Sequence, residues 1–234
     1  MDRGSLIVLH NEPLLRDLIC QHLTGLGFTV SAVQSAQQAI DAFELRRPHA
    51  VVMEILHDAD TVCLTFADYL REHAPEMGVV FLTELPDLRF AGLDKSLLPA
   101  NFAYLHPSKL SGMDDLVEAI ELSIRNRPSI KNRHDLSHAR PLSNLSRKQI
   151  GVLAMVAKGH TNHQIADSRG TTVRAVEGII GRIFEALELD ASNHGNARVE
   201  ITRIYLKAMA GVAVEPRDRE NSRELPELNS GLPE

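Results

Sequence analysis

Short apolar runs alternate with helical stretches along the first half of the chain. Strands are predicted where four or five apolar or β-branched residues follow one another, at residues 6–9, 29–33, 50–53, 79–82 and 102–105. Apolar residues at helical spacing predict helices at 13–25, 36–46, 60–73, 88–98 and 113–126. Five strands interleaved with five helices predict an α/β fold with a doubly wound, five-stranded parallel sheet.

The second half of the chain is helical without strands. Ser146 is placed to cap a first helix, Thr161 a short second helix and Thr172 a third. Gly170 supplies a tight turn between the second and third helices, which together form a helix-turn-helix. A further apolar stripe lies near residues 197–210, where it would pack on the three-helix core.

These patterns divide the chain into four parts. Residues 1–126 form the α/β domain, and 127–143, where periodicity gives way to Pro, Arg and His, form a linker. Residues 144–212 form the all-α helix-turn-helix domain. The Pro- and Glu-rich residues 213–234 are expected to be a disordered acidic tail.

The net charge of −6 hides an asymmetry. Residues 1–125 contain 9 basic and 18 acidic side chains, whereas residues 126–212 contain 13 basic and 7 acidic ones. The last segment, 213–234, contains 3 basic and 6 acidic ones. A basic segment between acidic ones indicates that one part of the chain meets a polyanion, although drift of surface charge would give the same pattern.

Composition also excludes several classes of protein. No apolar run is long enough to cross a bilayer or to form the core of a signal peptide, so no membrane partner is expected. Cys20 and Cys63 are the only cysteines, which makes a disulfide framework improbable and a cytoplasmic location the expectation. No P-loop or hydrolase elbow is present, so we expect no enzyme activity and no cofactor.

Four sequence runs in the second half carry a family resemblance. They are LSRKQIGVL at 145–153, GHTNHQIA at 159–166, TVRAVE at 172–177 and LEL at 187–189. Residues 145–189 thereby resemble the helix-turn-helix of the LuxR/NarL family, the output domain of many bacterial response regulators. The resemblance implies a recognition helix at 173–187 in the major groove of double-stranded DNA. It implies DNA contacts by Arg147, Lys148, Lys158, Thr161, Thr172, Arg174, Ala175, Glu177, Gly178 and Arg182. In family members the last helix of the domain often forms a dimer contact, so the resemblance gives the stripe near 197–210 this second interpretation.

The recognition helix departs from the family pattern. Glu177 stands where many members carry a basic residue, and Ile179 where many carry a polar one. Gly178 and Gly181 each disfavour the helix by about 1 kcal/mol relative to Ala. These departures leave open a second function, a protein-interaction adaptor with a degenerate recognition helix.

The first half resembles a response-regulator receiver domain, which implies a flavodoxin-like strand order. Receivers place two acids after the first strand, a phospho-accepting Asp after the third, Ser or Thr after the fourth and Lys after the fifth. Here the corresponding pocket residues are His10, Asn11, Glu54, Thr83 and Pro107, with His106 in the last position if the alignment slips by one. The receiver is therefore atypical, because its acids, its Asp and its Lys are all replaced.

Loss of these groups affects the chemistry directly. Mg²⁺ prefers carboxylate oxygens, and without the two acids and the Lys the pocket lacks both the metal cage and the counter-charge. We therefore expect control independent of phosphorylation, through homodimerisation or a protein or small-molecule signal; ordinary phosphorylation-dependent control is the alternative. Glu54 has two interpretations, an imitation of the phosphorylated state or a strand-end carboxylate that caps a neighbouring helix.

Three histidines follow strands one, three and five. His10, His57 and His106 would lie toward the carboxyl edge of the sheet, where doubly wound folds bind ligands. With Glu54 they could bind a transition metal or sense pH, although scattered surface histidines are the simpler interpretation, and no metal is expected.

Overall fold

A five-stranded parallel sheet organises the first half of the chain. The computed structural model describes residues 3–56, 61–127, 129–137, 141–189 and 194–210. The sheet has the order β2-β1-β3-β4-β5. Its strands are β1 (Ser5–Leu9), β2 (Thr29–Val33), β3 (Ala50–Met53), β4 (Gly78–Leu82) and β5 (Phe102–Leu105). Its helices are α1 (Pro13–Gly25), α2 (Ala36–Arg46), α3 (Thr61–His73) and α4 (Met113–Ile124). The predicted doubly wound fold and its flavodoxin-like order are confirmed.

Helices cover both faces of this sheet, which is why its strands are almost continuously apolar. Successive side chains of a strand point to opposite faces, so Leu6 and Val8 pack with α1 and α4. Ile7 and Leu9 point the other way and pack in the cluster that contains Phe43 of α2. The carboxyl ends of β1, β3, β4 and β5 therefore meet at one edge, where the candidate pocket lies.

The prediction of a helix at 88–98 is wrong. The connection from β4 to β5 contains only a short 3₁₀ turn at Lys95–Leu97, which Asp94 caps by accepting from the Ser96 N–H. Gly92 has a φ of 70°, which interrupts any helix. The apolar residues Leu88 and Phe90 are buried in a cluster shared with the second half of the chain, so long-range packing uses the side chains that suggested a helical stripe.

The segment predicted as a linker follows the edge strand β5. Its described part contains 3₁₀ turns at Ile130–Asn132 and His134–Leu136, and Arg133 forms a parallel bridge to Tyr104. The Arg133 guanidinium lies 4.1 Å from the centroid of the Phe102 ring. These contacts hold the segment against the sheet, while the boundaries between the four parts of the chain stay predictions.

Four helices form the second half: α5 (Arg147–Ala157), α6 (Asn162–Ser168), α7 (Val173–Ala186) and α8 (His194–Met209). The side chains of Ser146, Thr161 and Thr172 cap α5, α6 and α7, as predicted, each accepting a main-chain N–H three residues ahead. Among the described residues, no helix is long and apolar enough to span a membrane. The predicted tail at 213–234 and His57 lie outside the described residues.

Candidate nucleic-acid interface and strand-end pocket

Helix α7 buries one side and leaves the other open. Val176, Ile180 and Ile183 are buried in the core, so the opposite side faces solvent. The predicted DNA-contacting residues of α7 are all exposed there: Arg174, Ala175, Glu177, Gly178 and Arg182. Arg174, Gly178 and Arg182 are four residues apart and share one stripe of the helix. The structure thus gathers these residues on a single accessible face with two guanidinium groups.

Two predicted DNA contacts, Thr161 and Thr172, are the N-caps of their helices. Thr161 Oγ1 accepts from the Gln164 N–H at 3.2 Å, and Gln164 Oε1 accepts from the Thr161 N–H at 2.8 Å. Thr172 Oγ1 accepts from the Ala175 N–H at 3.2 Å. Both hydroxyls therefore have a structural task, and both threonines remain exposed next to helix N-termini, where backbone dipoles favour anions.

The three predicted basic contacts of α5 lie at its two ends. Arg147 and Lys148 are exposed in its first turn, and Lys158 is exposed at its C-cap. The Arg147 guanidinium lies 3.8 Å from an oxygen of Asp94 in the β4–β5 connection. Both side chains are largely exposed, so this pair is weak and Arg147 stays accessible to another anion.

Arg198 of α8 holds the turn between α5 and α6, a role that the sequence patterns did not reveal. It donates to the main-chain oxygen of His160 and, at 3.1 Å, to Oδ1 of Asn162. Together with Glu177 and Val173 it lines an open depression beside the start of α7. Arg198 thereby fixes the N-terminus of α6 relative to α8, and no local spacing signals a contact over 38 residues.

At the strand ends, His10 and Glu54 are brought together as the fold predicts. Nδ1 of the buried His10 lies 3.3 Å from Oε2 of Glu54. The same Nδ1 accepts from the Glu12 N–H at 3.1 Å, and Glu54 Oε2 accepts from the Asn11 N–H at 3.4 Å. Glu54 therefore contacts the main chain just before α1 while His10 fills the space beside it.

The protonation state of His10 determines whether His10 and Glu54 form an ion pair. Burial lowers the pKa of His10 below its ordinary value of 6.5, and the nearby Arg16 lowers it further, against an opposing effect of Glu12. His10 is therefore neutral at pH 7, with the Nδ1 lone pair directed at the Glu12 N–H. Nδ1 of His10 lies close enough to Oε2 of Glu54 for an ion pair, but the lowered pKa of His10 disfavours that ion pair at neutral pH.

Hydrogen bonds of Thr83 and Tyr104 join this pocket to the chain segment between β4 and β5. No sequence pattern indicated this role for Tyr104. The buried Thr83 hydroxyl donates to the Ile55 main-chain oxygen at 2.6 Å and accepts from the Leu85 N–H at 3.1 Å. The Tyr104 hydroxyl donates to the Leu85 main-chain oxygen at 2.9 Å. The residue after Glu54 is thus tied through Thr83 to the start of the connection.

His106 and Pro107 begin the turn that follows β5. Nδ1 of the buried His106 accepts from the Ser108 N–H at 3.3 Å, and Pro107 is the first residue of the 3₁₀ turn Pro107–Lys109. The main-chain N–H of His106 donates to Nδ1 of His134, a residue that sequence reasoning missed. Among the described residues, no group of three or more His, Cys, Asp or Glu side chains is arranged to hold a metal ion. His106 therefore belongs to a contact with the segment after α4.

Residues 143–193 match the family described as bacterial regulatory proteins of the luxR family. The chain is 23% identical over 191 residues to the transcriptional regulatory protein TdiR of Thauera aromatica, covering 81% of this chain and 82% of TdiR. It is 23% identical over 174 residues to the response regulator protein VraR of Staphylococcus saprophyticus, covering 67% of this chain and 76% of VraR.

Solved structures share the fold. RcsB of Salmonella enterica serovar Typhimurium, bound to promoter P1flhDC in the presence of phosphomimetic BeF3⁻, aligns with a TM-score of 0.56 at 15% identity. That alignment covers 86% of this chain and 98% of RcsB. A structure of two RcsB dimers bound to two parallel DNAs aligns with a TM-score of 0.50 at 16% identity, covering 88% and 99%.

Proposed function

We propose that the chain is a DNA-binding regulator of the response-regulator type, which binds double-stranded DNA through α7 and is not controlled by phosphorylation. The match of residues 143–193 to the luxR family, beside a receiver-like parallel sheet, supports this proposal. This family consists of regulatory proteins rather than a class of enzymes. The observation that carries the proposal is the exposed stripe of Arg174, Gly178 and Arg182 on α7, next to the capped N-termini of α6 and α7.

The geometry of α7 suits the major groove. Its core side is anchored by Val176 and Ile183, so its outer side presents small residues, Ala175 and Gly178, between the two guanidinium groups. Small side chains let the helix approach base edges closely, and arginine is the side chain best suited to guanine or phosphate. Glu177 on the same face accepts hydrogen bonds, which favours a cytosine amino group.

The experiment is a binding titration with DNA. A duplex from the region upstream of the protein's own gene is labelled, and binding is followed by fluorescence anisotropy at several salt concentrations. We expect the duplex to bind at low salt. The logarithm of the association constant should fall linearly with the logarithm of the salt concentration, because phosphate contacts release counterions. If neither that duplex nor a pool of genomic fragments binds at low salt, the adaptor function replaces the proposal.

Control without phosphorylation is supported by the contents of the pocket. His10, neutral at pH 7, stands where a metal-holding acid would be, and Glu54 is engaged by the Asn11 N–H. Mg²⁺ binding needs several oxygen ligands, and a buried imidazole is a poor substitute for them. We propose that dimerisation, or a protein or small molecule at this pocket, sets the activity instead.

A homodimer is part of the proposal. Helix α8 leaves Val199 and Leu206, seven residues apart, exposed on one side. Apolar side chains at this spacing form a stripe that a second copy of the helix would cover. One solved relative in fold, RcsB, is described as dimers on DNA.

A further inference from the structure

Arg89 uses every N–H group of its guanidinium within the folded chain. Nε and Nη2 donate to the two oxygens of Asp87 at 2.9 and 2.7 Å. Nη1 donates to the main-chain oxygens of Leu142 and Leu145 at 2.9 and 2.8 Å, and Nη2 also donates to that of Pro141 at 3.0 Å. Because a guanidinium has five N–H donors, all of them are satisfied.

This arrangement joins the two halves of the chain at a specific place. Asp87 and Arg89 belong to the β4–β5 connection, whereas the three carbonyl groups lie directly before Ser146, the N-cap of α5. Asp87 is 3% exposed, so its carboxylate is a buried charge, and Arg89 neutralises it through a contact of 2.7 Å. Removing one partner of such a pair is strongly destabilising, because it leaves the other charge buried and uncompensated.

Apolar packing continues the same contact. The Phe90 ring stacks on Tyr205 of α8, with centroids 5.8 Å apart. Leu88, Phe90 and Leu93 of the connection belong to one buried cluster that also contains the core of the helix-turn-helix domain. The connection lacks the helix that would normally cover this end of the sheet, and the second domain covers the connection instead.

The backbone at the junction carries strain that this contact stabilises. Leu142 has a φ of 52°, in the left-handed region, although it is not glycine. Such a conformation is unfavourable for a residue with a side chain and persists only when the surroundings enforce it. Here the buried Leu142 side chain and the bond from Arg89 to its carbonyl enforce it.

We propose that Asp87 and Arg89 form a latch that makes the receiver-like domain and the helix-turn-helix domain one cooperative folding unit. Domains joined by a small polar interface move independently, but a contact that buries a charged pair and apolar side chains couples their unfolding. The exposed side of α7 lies outside this contact, so DNA binding does not require the latch to open. The receiver-like domain thereby acts as a fixed support that orients α7.

Scanning calorimetry of the full chain tests the latch, with Arg89→Lys as the main variant. Lysine keeps the charge but has three donors on one nitrogen, so it cannot bridge the carboxylate and the three carbonyls together. We expect one transition for the wild type and two for Arg89→Lys and Asp87→Asn. Arg71→Ala is the matched control, because Arg71 makes a 3.0 Å pair with Asp68 on the exposed surface of α3; it should retain one transition.

Hydrogen exchange provides a second measurement on the same proteins. Amide protection of α5 in Arg89→Lys should fall by roughly tenfold or more relative to Arg71→Ala, because the helix is then protected only by its own domain. Two transitions in the wild type, or unchanged transitions and protection in both latch variants, would overturn the proposal. Neither measurement uses DNA, so a failure of the latch is distinguishable from a failure of DNA binding.

Discussion

The main-chain N–H of His106 donates to Nδ1 of His134 at 2.9 Å, across 28 residues of sequence. This bond fastens the turn at His134–Leu136 to the end of β5, and it requires His134 to be unprotonated at Nδ1. Burial lowers the pKa of His134 below 6.5, and Lys109 and His106 lower it further, against opposing effects of Asp135 and Asp115. The contact is therefore built around a neutral histidine.

The first prediction concerns pH. Below pH 6.5 the unfolded chain binds a proton at His134 that the folded chain resists, so the free energy of unfolding falls as pH falls through and below 6.5. His10 and His106, whose pKa values burial also lowers, act in the same direction. Thermal unfolding at about pH 5.5 and about pH 7.5, on either side of the ordinary histidine pKa, should show a lower Tm at the acidic value.

His134→Asn separates this contribution from the others. The amide oxygen of Asn can accept from the His106 N–H without titrating, so the difference in Tm between the two pH values should shrink. His49→Asn is the control, because His49 Nδ1 accepts from the Ser5 N–H in an exposed site. An equal change in both variants would contradict the role given to His134.

Arg174 and Arg182 are predicted to contact DNA phosphates or guanines. Each Arg→Ala change should weaken binding. Loss of one phosphate contact should reduce by about 1 the steepness with which the logarithm of the association constant falls with the logarithm of the salt concentration. Loss of a guanine contact should instead relax the base preference at one position. Anisotropy titrations of both variants are compared with Arg125→Ala, an exposed arginine in the first half of the chain. The assignment fails if all three variants bind like the wild type.

Gly178 lowers the stability of α7, and no neighbouring side chain requires a glycine at this position. A Cβ added there meets nothing within 4 Å, and the residue is exposed in the interior of the helix. Gly178→Ala should therefore raise the free energy of unfolding by about 1 kcal/mol. Gly159→Ala should do the opposite, because Gly159 has a φ of 84°. Chemical denaturation of both variants measures whether the free energy of unfolding rises in Gly178→Ala and falls in Gly159→Ala.

The strand-end pocket is predicted not to accept a phosphoryl group. After incubation with acetyl phosphate and Mg²⁺, intact mass should show no phosphoryl adduct, because the receiver resemblance puts His10 and Asn11 at the positions of the metal-holding acids. A stoichiometric adduct on Glu54 would contradict phosphorylation-independent control and restore the ordinary two-component alternative.

Self-association is predicted to depend on α8. Val199 is 69% exposed and Leu206 57%, and an acidic side chain at either position would place charge in the proposed contact. Val199→Glu should shift the protein toward a monomer in light scattering. Leu45→Glu on α2 is the control, because Leu45 is 80% exposed and lies far along the chain from α8. A dimer that survives in Val199→Glu would exclude this surface.

Local signals predicted much of the architecture. The β-branched runs gave the strands because a parallel sheet buried on both faces needs continuous apolar residues. The caps Ser146, Thr161 and Thr172 were recognisable because each bond spans three residues. His10 and Glu54 could be paired because strand ends of such a sheet meet at one edge.

Long-range contacts explain what the sequence did not reveal. The helix expected at 88–98 failed because Phe90 packs against Tyr205, far away in the chain, and no local periodicity encodes such a partner. No sequence pattern indicates the role of Arg89, because three of its acceptors are main-chain carbonyls, which every residue has. Similarly, the contact of His106 with His134 gave no signal in spacing.

The missing crossover helix limits how far the two halves can be exchanged with those of other proteins. Consider a hybrid that kept the β4–β5 connection but received a different output domain. Phe90 would then face water, and Arg89, which pairs with the Asp87 carboxylate, would lose its main-chain acceptors in the second half. Such a hybrid would have to supply both an aromatic partner and a suitably bent backbone ahead of its first helix. The two domains of this chain are therefore best regarded as a matched pair, in which a change on either side of the junction selects for a compensating change on the other.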